Sequence, residues 1–368
     1  MIPQFDLRRQ HQALGPEIES ALMRVLHSGH FILGSEGDAL EEEVAAFCGA
    51  RHAVGVASGS DALKLTLQAL GIGAGDEVIT TSFSFVATAT AILQVGAQPV
   101  FVDIDPESLN LDPGQVSAAV TPRTVAILPV HLFGLPAEMA TLGAIARHHN
   151  LAVVEDGAQA FGATYDGRRV GVLGDVACLS FYPTKPLGGS GDGGMVVTDR
   201  ADVAERIRRL RHHGSGERYY HVELGWNSRL DELQAAFLRV KLPHVDRWAE
   251  ARRRVAARYT TLLAGLPLSL PGDRPPARHV YHQFTIRSRE RDGLAKHLEV
   301  REIGSALYYP LPLPAQPILR ARGYAAGPFP QAWAAAQTVL SLPCFPELRD
   351  DEVEPVAAAL HDFYREGT

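Results

Sequence analysis

Cysteine and lysine are both scarce in this sequence of 368 residues, which contains three cysteines and four lysines. Cys48, Cys178 and Cys344 are far apart and form no C-x-x-C pair, which argues against a disulfide framework or a zinc site and favours a reducing compartment. No apolar run approaches the roughly 18 residues of a membrane-spanning helix. The first nine residues also lack the apolar core of a secretory signal. We therefore expect a soluble cytoplasmic protein without a membrane partner.

Positive charge is not in excess either. The chain has 35 lysines and arginines against 42 acidic residues, a formal net charge of −7. Such a chain lacks the basic footprint of a nucleic-acid-binding protein. Its 46% hydrophobic and 21% charged residues are typical of a globular protein. At roughly 150 residues per domain, the length suggests two domains.

Short apolar strands alternate with helical stretches between about residues 36 and 200. Strands that are apolar on every residue and separated by helices predict an α/β fold with a mostly parallel sheet covered on both faces. The predicted strands are 53–56, 77–80, 99–103, 125–130, 151–156, 176–181 and 194–198, and the predicted helices between them include 60–69, 85–94 and 137–148.

A second, smaller α+β unit is predicted after a long helical region. This region spans about residues 230–263 and is broken near Pro243, and a Pro- and Gly-rich linker follows at 271–276. We expect a large domain over 1–245 and a small C-terminal domain over 246–368. The segments assigned to the smaller unit are 279–287, 292–299 and 305–309, with helices near 330–340 and 351–364.

Residues 57–63, Ala-Ser-Gly-Ser-Asp-Ala-Leu, join a predicted strand to a predicted helix through small residues. Free backbone N–H groups at the start of a helix suit a phosphate, and the hydroxyls of Ser58 and Ser60 add donors. The alternative is that Ser60 simply caps the helix.

Glu155 and Asp156 stand at the carboxyl end of a fully apolar strand, where ligands of open α/β sheets bind. A buried acid there needs a cation or a metal to offset its desolvation. No further acids or histidines follow at metal-ligand spacing, so no metal site is predicted. A protonated pyridine nitrogen would serve instead. The alternative is an exposed loop acid or a helix cap.

Lys185 leaves a predicted strand into a Pro- and Gly-rich loop, whereas Lys64, Lys241 and Lys296 all lie on helical stretches where a solvated lysine is unremarkable. A lysine at the ligand-binding edge of a sheet can form a Schiff base if its surroundings keep the amine deprotonated. Ser180, at the end of the same strand, could add a phosphate contact. Together these segments indicate a site for pyridoxal 5′-phosphate (PLP).

The chain resembles, over nearly its whole length, the DegT/DnrJ/EryC1/StrS family of PLP-dependent sugar aminotransferases. This resemblance implies the aspartate-aminotransferase type I fold. The matching stretches are 57–63, 75–79, 96–103, 129–134, 155–160, 180–189, 193–197 and 225–229, the last leading into Gln234-Ala235-Ala236.

The resemblance also implies individual roles. Lys185 matches the Schiff-base lysine that shuttles protons, and Asp156 matches the partner of the pyridine nitrogen. Asn227 matches an asparagine that reaches the phosphate of the neighbouring subunit's cofactor, which implies a homodimer with its active site at the subunit interface. The other implied cofactor contacts are Phe85 stacking on the ring, Gln159 near the ring oxygen, and Gly59, Ser60, Asp61 and Ser180 at the phosphate.

The implied reaction moves the amino group of L-glutamate, through pyridoxamine phosphate, to a nucleotide-linked keto-sugar, with the 3-keto position slightly favoured over the 4-keto. Family members that aminate the 3-position often carry two histidines near the carboxy terminus. Here Tyr308 stands in place of the first and Pro314 in place of the second. Tyr308 either contacts the sugar or only packs.

Three other functions are compatible with this fold. Dehydratases that resemble the family carry histidine at the lysine position, and this chain has Lys185. An aminotransferase for a cyclitol or an antibiotic precursor is poorly separated from a sugar enzyme by sequence. A non-catalytic regulatory protein would tolerate the loss of Lys185 or Asp156, and both are present.

Overall fold

The computed structural model describes residues 1–366. The strands are β1 (His52–Val56), β2 (Glu77–Thr81), β3 (Gln98–Val102), β4 (Thr124–Leu128), β5 (Ala152–Asp156), β6 (Thr164–Tyr165), β7 (Arg168–Arg169), β8 (Val176–Ser180), β9 (Gly194–Thr198), β10 (Ser215–Glu217), β11 (Tyr220–His221), β12 (Ala277–Arg278), β13 (Phe284–Arg287) and β14 (Val339–Leu342). The helices are α1 (Leu7–Ser28), α2 (Ser35–Cys48), α3 (Gly59–Ala69), α4 (Ala87–Gln94), α5 (Pro113–Ala119), α6 (Met139–His149), α7 (Ala201–Leu210), α8 (Glu232–Lys241), α9 (Val245–Leu262), α10 (Arg291–Val300), α11 (Pro317–Arg320), α12 (Pro330–Thr338) and α13 (Asp350–Glu366).

The central sheet has seven strands in the order β1-β9-β8-β5-β4-β2-β3. β9 is antiparallel to both of its neighbours, and the remaining pairs are parallel. Each of the seven strands predicted from the sequence is present, and the prediction of a mostly parallel α/β sheet is confirmed.

Apolar residues cover both faces of this sheet. On β5, Val154 packs into a core with α3 and α7, while Val153 packs on the opposite face with α5 and α6. On β9, Val196 packs into the core with α3 and α7, and Val197 packs on the opposite face with α2 and α8. Successive side chains of a strand point to opposite faces, so a run without polar residues is what a doubly covered sheet requires.

A second core forms around the antiparallel pair β13–β14, against which α9, α10 and α13 pack. The predicted helical break at Pro243 is present as a 3₁₀ turn between α8 and α9. Residues 305–309, which the sequence analysis assigned to the smaller unit, form no strand, and Ala306 bridges to Ser341 of β14. Ile2 and Phe5 also pack on this second core, and the division into 1–245 and 246–368 stays a prediction.

None of the helices within residues 1–366 combines the length and the apolar character needed to cross a bilayer.

The start of β9 comes unusually close to the turn that precedes α3. A Cβ atom added to Gly194 would lie 2.4 Å from the carbonyl carbon and oxygen of Ser58. Real Cβ atoms do not approach backbone this closely, so only glycine fits without moving one of the two segments. This contact fixes the first turn of α3 against the edge where β8 and β9 meet.

We predict that Gly194→Ala lowers the free energy of unfolding by about 2–3 kcal/mol, because the added methyl group must displace backbone in a packed region. Gly272→Ala is the matched control, since its Cβ would meet nothing within 4 Å. That control is expected to stay within about 0.5 kcal/mol of the wild type. Urea unfolding measures both; equal midpoints for the two variants would contradict the prediction.

Candidate active site

A cavity of about 520 Å³ opens at the edge of the sheet where β5 and β8 end. Both strands deliver polar side chains to it, as expected for the carboxyl ends of parallel strands. The residues singled out in the sequence that line it include Ser58, Gly59, Ser60, Phe85, Asp156, Gln159, Ser180, Lys185 and Tyr308. The structure thus brings together residues from distant parts of the chain.

One end of the cavity is formed by the first turn of α3. Ser58, not Ser60, is the N-cap: its side chain accepts a hydrogen bond of 3.1 Å from the backbone N–H of Asp61. The N–H groups of Gly59 and Ser60 have no acceptor within the helix, because the first turn lies beyond the reach of its own carbonyls. A Cβ on Gly59 would lie 2.7 Å from the Cβ of Ser180, so the bare α-carbon lets α3 meet β8. This end suits a phosphate.

Asp156 ends β5 and faces the cavity. Its carboxylate accepts hydrogen bonds from the Thr88 hydroxyl at 2.8 Å and from the backbone N–H of Ala158 at 3.2 Å. Burial raises the pKa of Asp156, while these two bonds and the charge of Lys185 oppose that shift. A carboxylate held in this way can keep a proton on a ring nitrogen placed beside it.

Glu155, the preceding residue, points the other way and serves the fold. It is fully buried and accepts hydrogen bonds from the backbone N–H groups of Gly171, Leu173 and Gly174. It also lies 3.0 Å from Nε2 of His131, whose Nδ1 accepts a hydrogen bond from the backbone N–H of Ala137. The Glu155 carboxylate therefore holds the loop at 171–174, and only Asp156 of the pair serves the cavity.

Lys185 lies in the loop between β8 and β9, and its backbone N–H donates to the carbonyl of Tyr182 at 2.8 Å. Burial lowers the pKa of its amine to about 8, with the Asp156 carboxylate acting in the opposite direction. Lysine needs a neutral amine to act as a nucleophile or base. Because its pKa is lowered, a larger fraction of the Lys185 amine is neutral near pH 7 than for a lysine in water.

The remaining walls are aromatic and amide groups. Gln159 accepts a hydrogen bond from the backbone N–H of Phe133 and donates one of 3.1 Å to the hydroxyl of Tyr309. Phe85 is 53% exposed, and its ring centroid lies 6.1 Å from that of Tyr309. Tyr308 is half-buried beside Tyr309. An exposed phenyl ring on a cavity wall offers a flat ligand a face on which to stack.

Asp61 and Asn227 do not line the cavity of their own chain. Asp61 pairs with Lys64 at 2.7 Å and accepts a hydrogen bond from Ser228 at 2.7 Å. Lys64 is buried over the ring of Trp226, although its helical position suggested a solvated lysine. Asn227 is exposed next to this network. Through its hydrogen bond with Ser228, Asp61 therefore holds the segment on which Asn227 is exposed.

Sequence reasoning missed a part of the cavity wall that comes from the C-terminal unit. His282 and Gln283 precede β13 and line the cavity. Burial and the nearby charge of Lys185 push the pKa of His282 well below its ordinary value. Its Nδ1 is buried and finds no hydrogen-bond partner among residues 1–366. No local pattern marks this pair, because they join the site only through tertiary packing.

These residues fit PLP. The bare α-carbon of Gly59 and the free N–H groups of α3 offer a phosphate cradle. Asp156 supplies a buried carboxylate for the pyridine nitrogen, and Lys185 supplies an amine of lowered pKa in the same cavity. Residues from separate segments of the sequence thus line one cavity.

The chain is similar to known proteins over almost its whole length. The chain is 50% identical over 367 residues, 99% of each chain, to the "Pleiotropic regulatory protein" of Geobacillus stearothermophilus. It is 48% identical over 359 residues, 98% of this chain and 97% of the other, to the "UDP-N-acetyl-3-dehydro-alpha-D-glucosamine 3-aminotranferase" of Acidithiobacillus ferrooxidans. Its fold matches the crystal structure of S. venezuelae DesV in complex with a ketimine intermediate, with a TM-score of 0.96 and 46% identity over 98% of both chains.

The predicted fold class is confirmed by that structural match, since the two chains share one architecture over almost their whole lengths. A sequence model of the DegT/DnrJ/EryC1/StrS aminotransferase family matches residues 12–361. PLP is the cofactor on which the aminotransferases of this family depend, as the sequence predicted. The chain therefore belongs to the DegT/DnrJ/EryC1/StrS aminotransferase family.

Proposed function

We propose that this protein transfers the amino group of L-glutamate to a keto group of a nucleotide-linked keto-sugar, with the 3-keto position slightly favoured over the 4-keto. The observation that carries the proposal is the pairing of Lys185, whose pKa is lowered to about 8, with the buried carboxylate of Asp156 in one cavity. The Acidithiobacillus relative is named as a 3-aminotransferase of a UDP-linked sugar, which supports this acceptor class.

Bound PLP would supply an electron sink for the carbanion that forms at the α-carbon of the amino donor. Gly59, Ser60 and Ser180 would hold its phosphate, and Phe85 and Gln159 would flank its ring. Asp156 would hold a proton on the ring nitrogen, because a buried carboxylate stabilises a neighbouring pyridinium ion. These residues bind and orient the reacting groups.

Lys185 is the group that moves the proton. Its amine accepts a proton from the donor's α-carbon and later returns one, which requires a pKa near the working pH. The lowered pKa meets that requirement, whereas an exposed lysine near 10.5 would be almost wholly protonated. The cavity walls that bury Lys185 are therefore part of the catalytic apparatus.

The acceptor sugar would enter past Tyr308 and Tyr182, which both line the cavity. Tyr182 is 52% exposed, and Tyr308 is half-buried. Phenol rings can pack on the apolar face of a sugar and hydrogen-bond its hydroxyls. We assign Tyr308 to substrate contact, in the place where related enzymes carry histidine.

A homodimer completes this proposal. Asn227 is exposed outside its own cavity, on a segment that also exposes several large apolar side chains. These are Tyr219, Tyr220, Val222, Leu224 and Trp226, which are 43–90% exposed. Apolar patches of this kind mark protein interfaces. A second copy covering the patch would receive Asn227 in its own active site.

A regulatory role is the second candidate, because the Geobacillus relative carries the name of a pleiotropic regulatory protein. Against it stands the retention of Lys185 and Asp156 in an open cavity. An aminotransferase for a cyclitol or an antibiotic precursor would use the same residues and differ only in the acceptor.

The three cysteines are buried and unpaired, which supports a cytoplasmic location.

Loss of the lysine should abolish the reaction. We expect Lys185→Ala to lower transamination by about a thousand-fold or more, since it removes the proton carrier, and to leave PLP removable by dialysis. Lys296→Ala, an exposed lysine on α10, is the control. The assay follows the absorption spectrum of the PLP-loaded protein before and after L-glutamate, then 2-oxoglutarate formation with keto-sugar nucleotides. Near-normal turnover by Lys185→Ala would exclude the proposed role, and a wild type that binds no PLP would favour the regulatory function.

The pH dependence of cofactor capture reports the pKa of Lys185. Only the neutral amine reacts with an aldehyde, so the rate at which the PLP-free protein takes up PLP should rise with pH and reach half its maximum near pH 8. Asp156→Asn removes the negative charge that raises this pKa, so its midpoint should be lower. Stopped-flow absorbance between pH 6 and 10, with free PLP and a model amine as reference, gives both midpoints. A wild-type midpoint near 10 would contradict the assignment.

Mixed dimers test the position of Asn227. Lys185→Ala and Asn227→Ala subunits should each be inactive or weak alone. After mixing and re-equilibration, half of the dimers are mixed and each contains one complete site, so activity should return to about a quarter of the wild type. No recovery, with subunit exchange shown by mass-tagged subunits, would mean that Asn227 serves its own subunit.

A further inference from the structure

The loop that carries Lys185 is held from outside by helix α8. Within the loop, the N–H of Gly189 donates to the carbonyl of Phe181 at 2.7 Å. From α8, Gln234 accepts a hydrogen bond of 2.8 Å from the N–H of Ser190, and Nζ of Lys241 donates one of 2.5 Å to the carbonyl of Gly188. Two helical turns separate Gln234 from Lys241, so both lie on the same face of α8. That face is the external support of the loop.

The fold of the loop leaves little freedom at the point where Lys241 contacts it. A Cβ on Gly188 would lie 2.1 Å from the carbonyl oxygen of Pro183, so the two ends of the Pro-Thr-Lys-Pro-Leu-Gly turn touch directly. Gly188 follows Lys185 by three residues. A displacement of the Gly188 carbonyl would therefore also shift Lys185, because the closed turn between them has little room to change its conformation.

Lys241 is an unusual residue to find in this position. It is only 1% exposed, and among residues 1–366 no carboxylate forms a salt bridge with it, although the charge of Glu347 acts to raise its pKa. The rings of Phe237 and Trp248 lie 5.0 and 5.7 Å from the ammonium. Burial and the nearby charge of Arg252 lower its pKa to about 7. An apolar side chain would fill this space without the cost of burying a cation.

We infer that Lys241 is a positioning residue for the reaction: its bond to the Gly188 carbonyl sets the position of Lys185 in the cavity. The cost of burying the Lys241 amine is offset by this hydrogen bond, by the two ring faces and by the charge of Glu347. Lys241 does not line the cavity, so it acts through the loop and not on the substrate. This inference rests on the proposed function, because it assigns Lys185 the same chemistry.

Lys241→Met tests the role, because methionine keeps the length and apolar packing of the stem but cannot donate to Gly188. We expect kcat to fall about 10- to 100-fold, as for a small misplacement of a catalytic group, while KM for both substrates stays within about twofold. The visible absorption of the PLP-bound variant should titrate at a different pH from that of the wild type. Lys296→Met on the exposed face of α10 is the matched control and should match the wild type in every measurement.

Urea unfolding of the PLP-free variants shows whether Lys241→Met is folded, so that a loss of kcat can be distinguished from a loss of stability. A folded Lys241→Met with wild-type kcat and an unchanged spectroscopic titration would overturn the inference. If Lys241→Met does not fold, Lys241→Leu, which also cannot donate to the Gly188 carbonyl, is measured in the same way. Its wild-type behaviour would likewise overturn the inference, and a loss of kcat at constant KM would support it. Failure of the proposed function is distinguishable, because the wild type itself would then not bind PLP or transaminate.

Discussion

The site depends on one constraint, a carboxylate buried at the end of β5 beside a lysine amine. Asp156 is 5% exposed, and burial alone would drive it toward its neutral form. The Thr88 hydroxyl and the Ala158 N–H counter that tendency with two hydrogen bonds. Lys185 in turn is deprived of water by the same walls, which lowers its pKa. Each group makes the burial of the other less costly, and the surrounding loops keep them in one cavity.

Much of this arrangement could be predicted from the sequence because it follows from local rules. Apolar runs of five or six residues indicate doubly covered strands, and the carboxyl ends of parallel strands meet at one edge. The alternation of side chains along β5 does not by itself say which of Glu155 and Asp156 faces the ligand. The structure decides it, because the loop at 171–174 donates three backbone N–H groups to Glu155.

Other parts could not be predicted because they arise from contacts between distant segments. The cavity wall at His282 and Gln283 comes from the C-terminal unit, and neither residue belongs to a local pattern. Lys64 and Lys241 were expected to be solvated from their helical positions, and both are buried against aromatic rings. The first two helices were not assigned from the sequence at all. α1 contains Gly15 and Pro16, residues that ordinarily argue against a helix.

The direction of β9 has a consequence for how the site can move. Because β9 runs antiparallel to β8, the segment between them leaves and re-enters the sheet at the same edge, with Ser180 opposite Gly194 in the ladder. A parallel strand would have required a crossover to the far edge. Lys185 therefore lies on a loop whose two ends are anchored at the same edge of the sheet, and the hydrogen bonds from Gln234 and Lys241 hold the backbone of this loop. With its backbone held in this way, Lys185 reaches the groups around it by rotation of its own side-chain bonds.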